Sequence, residues 1–119
     1  FTVQTVRRYR EIMGEVLARH GFDPLLAVTS RSPRVLSATI PLLFDPADQA
    51  EVARAKRCYR DLVESGLRQG WPPYRLGIDY MDLIGTQAGS ALGELHQRLK
   101  TALDPNNVIS PGRYAGGVA

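Results

Sequence analysis

Val6, Tyr9, Met13, Val16 and Leu17 recur at intervals of three and four, with arginine and glutamate between them. That spacing predicts a helix over residues 3–20 with one buried stripe. Gly21 suits a left-handed C-terminal cap, and Asp23-Pro24 stops the helix from continuing. The period then changes. Leu25 to Thr29 is a short apolar run, and Ser30 to Pro33 carries turn chemistry. From Val35 to Phe44 the chain alternates, with Leu36, Ala38, Ile40, Leu42 and Phe44 on one side and Ser37, Thr39 and Pro41 on the other. This predicts a β-hairpin with one face in the core. Pro41 cannot donate to a ladder, which places it at an edge or a bulge.

Asp45-Pro46-Ala47-Asp48 reads as a helix start, with an N-cap, a proline in the first helical position and acid in the first turn. Val52, Ala55, Tyr59, Leu62, Val63 and Gly66 form the inward stripe of that helix, which runs to Gly70. Tyr74 to Met81 is predicted as a third strand, with Tyr74, Leu76, Ile78 and Tyr80 on one side. A last helix from about residue 90 to Leu103 uses Leu92, Leu95, Leu99 and Ala102 for packing, and Asp104-Pro105-Asn106-Asn107 ends it. The order predicts an α+β fold: an antiparallel sheet with helices on one face, a ferredoxin-like split βαβ lacking its first strand, then a C-terminal helix and extended tail. The missing strand would precede Phe1, so the chain is expected to be part of a longer protein. The sheet edge left open makes a homodimer one way of covering it.

A length of 119 residues fits one domain with a modest core, and 44% hydrophobic against 23% charged residues is a globular rather than a disordered balance. No apolar run approaches the roughly 20 residues that span a bilayer, so no membrane partner is expected. The net charge is +3, almost all of the positive count being arginine. Its densest run, Arg7-Arg8-Tyr9-Arg10, is followed by Glu11 and Glu15, which reads as a solvated helix face rather than a nucleic-acid stripe. Cys58 is the single cysteine; it cannot form an intrachain disulfide, and mid-helix near the stripe it is expected to be a small buried hydrophobe rather than a nucleophile. His20 and His96 have no spaced ligand partners, so no metal is expected, and His20 suits a helix C-terminus. Asp79 and Asp82 make a poor carboxylate pair, and a helix-cap role for Asp82 is as good. Gly85, Gly89 and Gly93 resemble loop punctuation rather than a phosphate loop.

Two segments carry chemistry. In Gly70-Trp71-Pro72-Pro73-Tyr74-Arg75 a helix ends, two prolines stiffen the backbone, and a phenol stands beside a guanidinium. Such a pair suits an oxyanion, since the charged donor makes the stronger hydrogen bond. The plainer alternative packs Tyr74 in the core and pairs Arg75 with a surface acid. The tail from Asp104 to Tyr114 sets two turns around Val108-Ile109, and Gly112 allows a ligand close to the backbone just before Arg113. Its alternative is an arm that merely covers the sheet.

The stretches GWPPYRLGIDYMDLI and LKTALDPNNVISPGRY resemble the C-terminal region of the vanillyl-alcohol oxidase and 4-cresol dehydrogenase (p-cresol methylhydroxylase) family of FAD-linked oxidases. The similarity runs more loosely back through the hairpin to the first helix. It implies a phenol-oxidising flavoenzyme with FAD as cofactor, bound mainly by an N-terminal domain outside this chain, and a fragment inactive by itself. It assigns Tyr74 and Arg75 as catalytic and substrate-binding residues that hold the phenolate oxygen. Arg113, with Gly112, is assigned to the flavin's pyrimidine edge. Where some members carry a histidine pair in the second hairpin strand, this chain has Ser37 and Ala38. The partners implied are a phenolic substrate, the rest of the same polypeptide, and oxygen or a cytochrome as electron acceptor, in cytoplasm or bacterial periplasm. Two other readings stay open: an FAD-linked 2-hydroxy-acid oxidase, which needs no phenolate clamp, and a non-catalytic ferredoxin-like module. If the clamp reading holds, Tyr74 and Arg75 border one concavity with the tail.

Overall fold

The computed structural model describes residues 2–83 and 91–111. It is an α+β structure of three α-helices, a 3₁₀ helix and one antiparallel hairpin: α1 (Val3–Arg19), β1 (Ala27–Ser32), β2 (Val35–Thr39), α2 (Gln49–Arg68), the 3₁₀ helix Ile78–Leu83, and α3 (Ala91–Leu103). The chain divides after Pro72 into two compact units.

In the first unit α1 opens on Thr2, whose hydroxyl accepts the Thr5 amide at 3.2 Å. It closes at Gly21, with φ of 69°. There the Gly21 and Phe22 amides donate to the carbonyls of Ala18 and Leu17, each at 3.0 Å, which satisfies the last turn and folds Phe22 back onto the core. The same device closes α2. Gly70 has φ of 74°, its amide donates to Leu67, and Trp71 donates to the Gly66 carbonyl at 2.9 Å. Met13, Val16 and Leu17 of α1 meet Ala55, Cys58 and Leu62 of α2, with Phe22 between them. Tyr9, Ile40, Leu42 and Trp71 pack around this centre, Trp71 tilted against Tyr9 at 5.2 Å between ring centres.

The start of α2 differs from expectation. Asp48, not Asp45, is the N-cap, accepting the amides of Ala50 at 2.8 Å and Glu51 at 3.3 Å. Asp45 instead caps a turn one step earlier: its carboxylate accepts the Ala47 amide at 2.8 Å, and its own amide donates to Glu51 at 2.7 Å. Two aspartates three apart can each cap, and Glu51 reaching back to Asp45 selects the later start.

The hairpin is present, and it is short. Ala27 pairs with Thr39 and Ser32 with Val35 across a two-residue loop, with a bulge between Ser30 and Ser32. β2 ends at Thr39, before Pro41 removes a donor. Ile40 and Leu42 continue inward as irregular chain and touch the core, as the alternation required.

The third strand is not formed. Residues 78–83 make a 3₁₀ helix, entered by the Tyr80 amide donating to Gly77 at 3.0 Å. Leu76 and Met81 are buried, whereas Tyr74 and Ile78, assigned to the same inward face as Leu76, are exposed. A strand needs a neighbour for its backbone groups, and among the described residues the hairpin pairs only with itself. The segment therefore satisfies its hydrogen bonds locally. α3 also departs from expectation, in packing rather than in position: Leu95 and Leu99 are about half exposed.

Gly66 gives the first test of this packing. A Cβ there would lie 2.9 Å from the Trp71 carbonyl oxygen, a backbone atom held by the helix cap. Gly66→Ala is expected to destabilise the protein by about 1–3 kcal/mol despite alanine's better helix propensity. At Gly14 nothing lies within 4 Å of the added methyl, so Gly14→Ala is expected to stabilise by about 0.5–1 kcal/mol. Urea denaturation of the two variants should move the midpoint in opposite directions; shifts of the same sign would refute the packing account.

Candidate functional site

Tyr74 and Arg75 follow the cap of α2 through Pro72 and Pro73. Gly70 and Trp71 end the helix, and each proline ring fixes its own φ near −65°. Tyr74 is 72% exposed. The Arg75 guanidinium lies 5.5 Å from the centre of the Tyr74 ring. A cation over a phenol ring is held there by the ring's negative face. The two side chains thus lie beside each other. They present a hydroxyl donor and a fixed positive charge to solvent, a pair suited to an anionic oxygen. Leu76 is buried directly after them and anchors the backbone that carries both.

The tail is organised by a residue that sequence reading used only as a helix stop. Asp104 is buried, and its carboxylate accepts the amides of Val108 and Ile109, each at 2.8 Å. Lys100, one turn earlier, donates to Asp104 and also to the Ile109 carbonyl. Asn107, in the left-handed region at φ of 51°, turns the chain so that both amides face the acid. The signals were legible: a Lys–Asp pair four apart at a helix end, then Asp-Pro-Asn-Asn, whose side chains bond locally. Gly112 and Arg113, the residues assigned to a cofactor, lie outside the described residues, as does Tyr114.

The hydrogen bond from Lys100 holds the Asp104 carboxyl below the ordinary value of 3.8; burial opposes it, and the two tail amides add to the lowering. Because the folded value is depressed, the stabilisation is complete above about pH 4 and is lost as pH falls through the folded value. Protection of the Val108 and Ile109 amides, corrected for intrinsic exchange, is therefore expected to fall in acid below pH 4. Asp104→Ala should lack that protection at neutral pH. Amides equally protected at pH 6 and pH 2 would count against the clamp.

Cys58 and His20 have structural employment. Cys58 is fully buried, and its thiol is pushed up by burial and then by the nearby Asp61, the reverse of what a nucleophile needs. His20 caps α1, and its Nε2 lies 2.8 Å from Asp61 of α2, an inter-helix tie that sequence spacing could not show. Ser37 accepts a hydrogen bond from Arg31 Nε across the hairpin at 3.0 Å.

Comparison with known proteins bears on this geometry. Residues 38–114 match the family described as FAD linked oxidases, C-terminal domain. The chain is 35% identical over 103 residues to the 1'-carboxy-chondrochloren decarboxylase of Chondromyces crocatus, covering 87% of this chain and 19% of that protein. It is 31% identical over 98 residues to the 4-cresol dehydrogenase [hydroxylating] flavoprotein subunit of Pseudomonas putida, covering 82% of this chain and 19% of that one. The chain thus spans about one fifth of the length of these relatives. No solved structure matches it.

The starts of α1 and α2 do not fit the diphosphate of a flavin dinucleotide. A helix N-terminus is the usual seat for such a group. The Thr2 hydroxyl occupies that of α1, and the Asp48 carboxylate, itself an anion, occupies that of α2. What the described surface offers is the Tyr74–Arg75 pair.

Proposed function

We propose, from the premise that this chain belongs to the family of C-terminal domains of FAD-linked oxidases, that it supplies the substrate side of an enzyme oxidising 4-alkylphenols. The observation that carries the reading is the exposed Tyr74 hydroxyl with the Arg75 guanidinium stacked beside its ring, on backbone stiffened by two prolines. The similarity to a 4-cresol dehydrogenase flavoprotein subunit supports the substrate class.

In this reading the Tyr74 hydroxyl donates to the substrate's phenol oxygen. The Arg75 charge favours loss of the phenol proton, since a nearby cation lowers the cost of the anion. Electron density returning from the phenolate oxygen through the ring expels a hydride from the benzylic carbon and leaves a neutral quinone methide, which water can attack. FAD, when bound, supplies the hydride acceptor, and its seat is assigned to the part of the polypeptide outside these residues. Arg113 and Gly112 are assigned to the flavin's pyrimidine edge, where negative charge collects on reduction. Oxygen or a cytochrome then takes the electrons.

The test is a titration of the full-length flavoprotein with a 4-alkylphenol, followed by the perturbation of its flavin absorption. Tyr74→Phe combined with Arg75→Ala should abolish the perturbation at concentrations that saturate the parent. Unchanged phenol binding in that double variant would remove the clamp from the mechanism.

A further inference from the structure

We infer that the outward face of the hairpin is a binding site for the carboxylate of a small molecule, built on Arg31 and Ser37. Strand alternation puts Thr29, Ser37 and Thr39 on one face, opposite Leu36 and Ile40, and Ile40 packs on the core. Thr29 and Ser37 are directly paired, so their side chains stand next to each other. Arg31 is the extra residue of the bulge between Ser30 and Ser32. A bulge re-aims the side chain it carries, and here the Arg31 Nε donates to the Ser37 hydroxyl at 3.0 Å. The guanidinium is thereby fixed on the hydroxyl-bearing face, where Thr29, Arg31 and Thr39 are all exposed.

The ligand's chemistry follows from what this face has and lacks. With Nε engaged, the Nη1–Nη2 edge keeps two parallel N–H groups, the fork that a planar carboxylate accepts with both oxygens. No aspartate or glutamate occurs from residue 24 to residue 44, while Arg34 adds a second positive charge at the hairpin turn. Among the described residues neither guanidinium forms an ion pair. A guanidinium tied to a neutral hydroxyl keeps its charge for a ligand, whereas one tied to a carboxylate has already spent it. The same tie removes side-chain freedom before the ligand arrives, so less is lost on binding. No residue of this face belongs to the Tyr74–Arg75 pair, and the two readings stand or fall separately.

Phenylglyoxal labelling of the full-length protein, read at each arginine by mass spectrometry, tests the site, because the reagent modifies accessible guanidinium groups. Arg31 is expected to label in the parent, and benzoate should slow that labelling saturably. At about ten times its half-protecting concentration the slowing should be about tenfold. Chloride at equal ionic strength should leave the rate unchanged, and benzoate should not protect Arg7. Ser37→Ala should raise the half-protecting concentration about three- to tenfold, and Ser37→Thr, which keeps the hydroxyl, should restore it. Protection of Arg31 should persist when Tyr74→Phe and Arg75→Ala are combined. Labelling of Arg31 in the parent that benzoate does not slow overturns the proposal, even if the Ser37→Ala variant fails to fold. Inorganic phosphate that protects as well as benzoate overturns the carboxylate assignment. An Arg31 that resists labelling without any ligand also overturns the proposal and assigns the guanidinium to an acid of the protein itself.

Discussion

Arg75→Ala in the full-length flavoprotein is expected to lower kcat/KM for a 4-alkylphenol by about 100- to 1,000-fold, the usual cost of removing one charged group aimed at a developing anion. The size follows from where the charge acts. In the proposed mechanism the hydride leaves only when density returns from an ionised oxygen, so a cation held beside that oxygen matters more on the way to the quinone methide than in simple binding. Arg75→Lys keeps the charge but loses the planar group that stacks on Tyr74, and should fall between parent and alanine variant. Tyr74→Phe keeps the ring under the guanidinium and removes only the hydroxyl, so it isolates the hydrogen bond from the stacking. The diagnostic readout is the pH profile. With the cation gone, the rise in kcat that reports ionisation of the bound phenol should move to higher pH, because the bound phenolate loses its nearest counter-charge. A loss of rate with an unmoved profile would assign Arg75 to positioning and leave phenolate stabilisation elsewhere.

Leu17→Ala is expected to cost about 2–5 kcal/mol. Leu17 is 1% exposed, at the centre of the cluster formed by Met13, Val16, Phe22, Ala55, Cys58 and Leu62. These residues come from two helix faces closed at both C-termini by hydrogen-bonded caps, so the surroundings have little freedom to collapse into the space left. A domain stable by only about 5–15 kcal/mol loses a large fraction of that in one substitution. Val3→Ala, at a site 65% exposed, should stay within about 0.5 kcal/mol of the parent. Urea midpoints for the two variants check both values together; a Leu17→Ala midpoint close to that of Val3→Ala would contradict the assigned core.

Both predictions draw on features visible along the chain to different degrees. The Val6–Leu17 stripe and the Gly21 and Gly70 stops were legible because they are local: periodicity decides which helix face is apolar, and only glycine enters the left-handed cap without steric cost. The hairpin was legible for the same reason. The segment from Tyr74 to Met81 was misread because alternation of side chains is necessary for a strand and not sufficient. A strand also requires a neighbour, and no local pattern reports whether one is present.

The candidate site divides along the same line. Pro72-Pro73-Tyr74-Arg75 announced itself by composition, since consecutive prolines restrict the backbone whatever surrounds them. That Tyr74 is exposed and carries the guanidinium on its ring was decided by three-dimensional placement. Asp104 makes the contrast sharpest. Its spacing from Lys100 was readable, whereas its burial and its grip on two tail amides depend on how the chain turns at Asn107. The sequence by itself determined the helices, their stops, the hairpin and the stiff approach to Tyr74, because each follows from interactions within a few residues. Tertiary structure alone decided the Asp61 partner of His20, the 3₁₀ helix at Ile78–Leu83 where a strand was expected, and the exposure of Leu95 and Leu99 on α3, because each depends on which surfaces distant segments bring together.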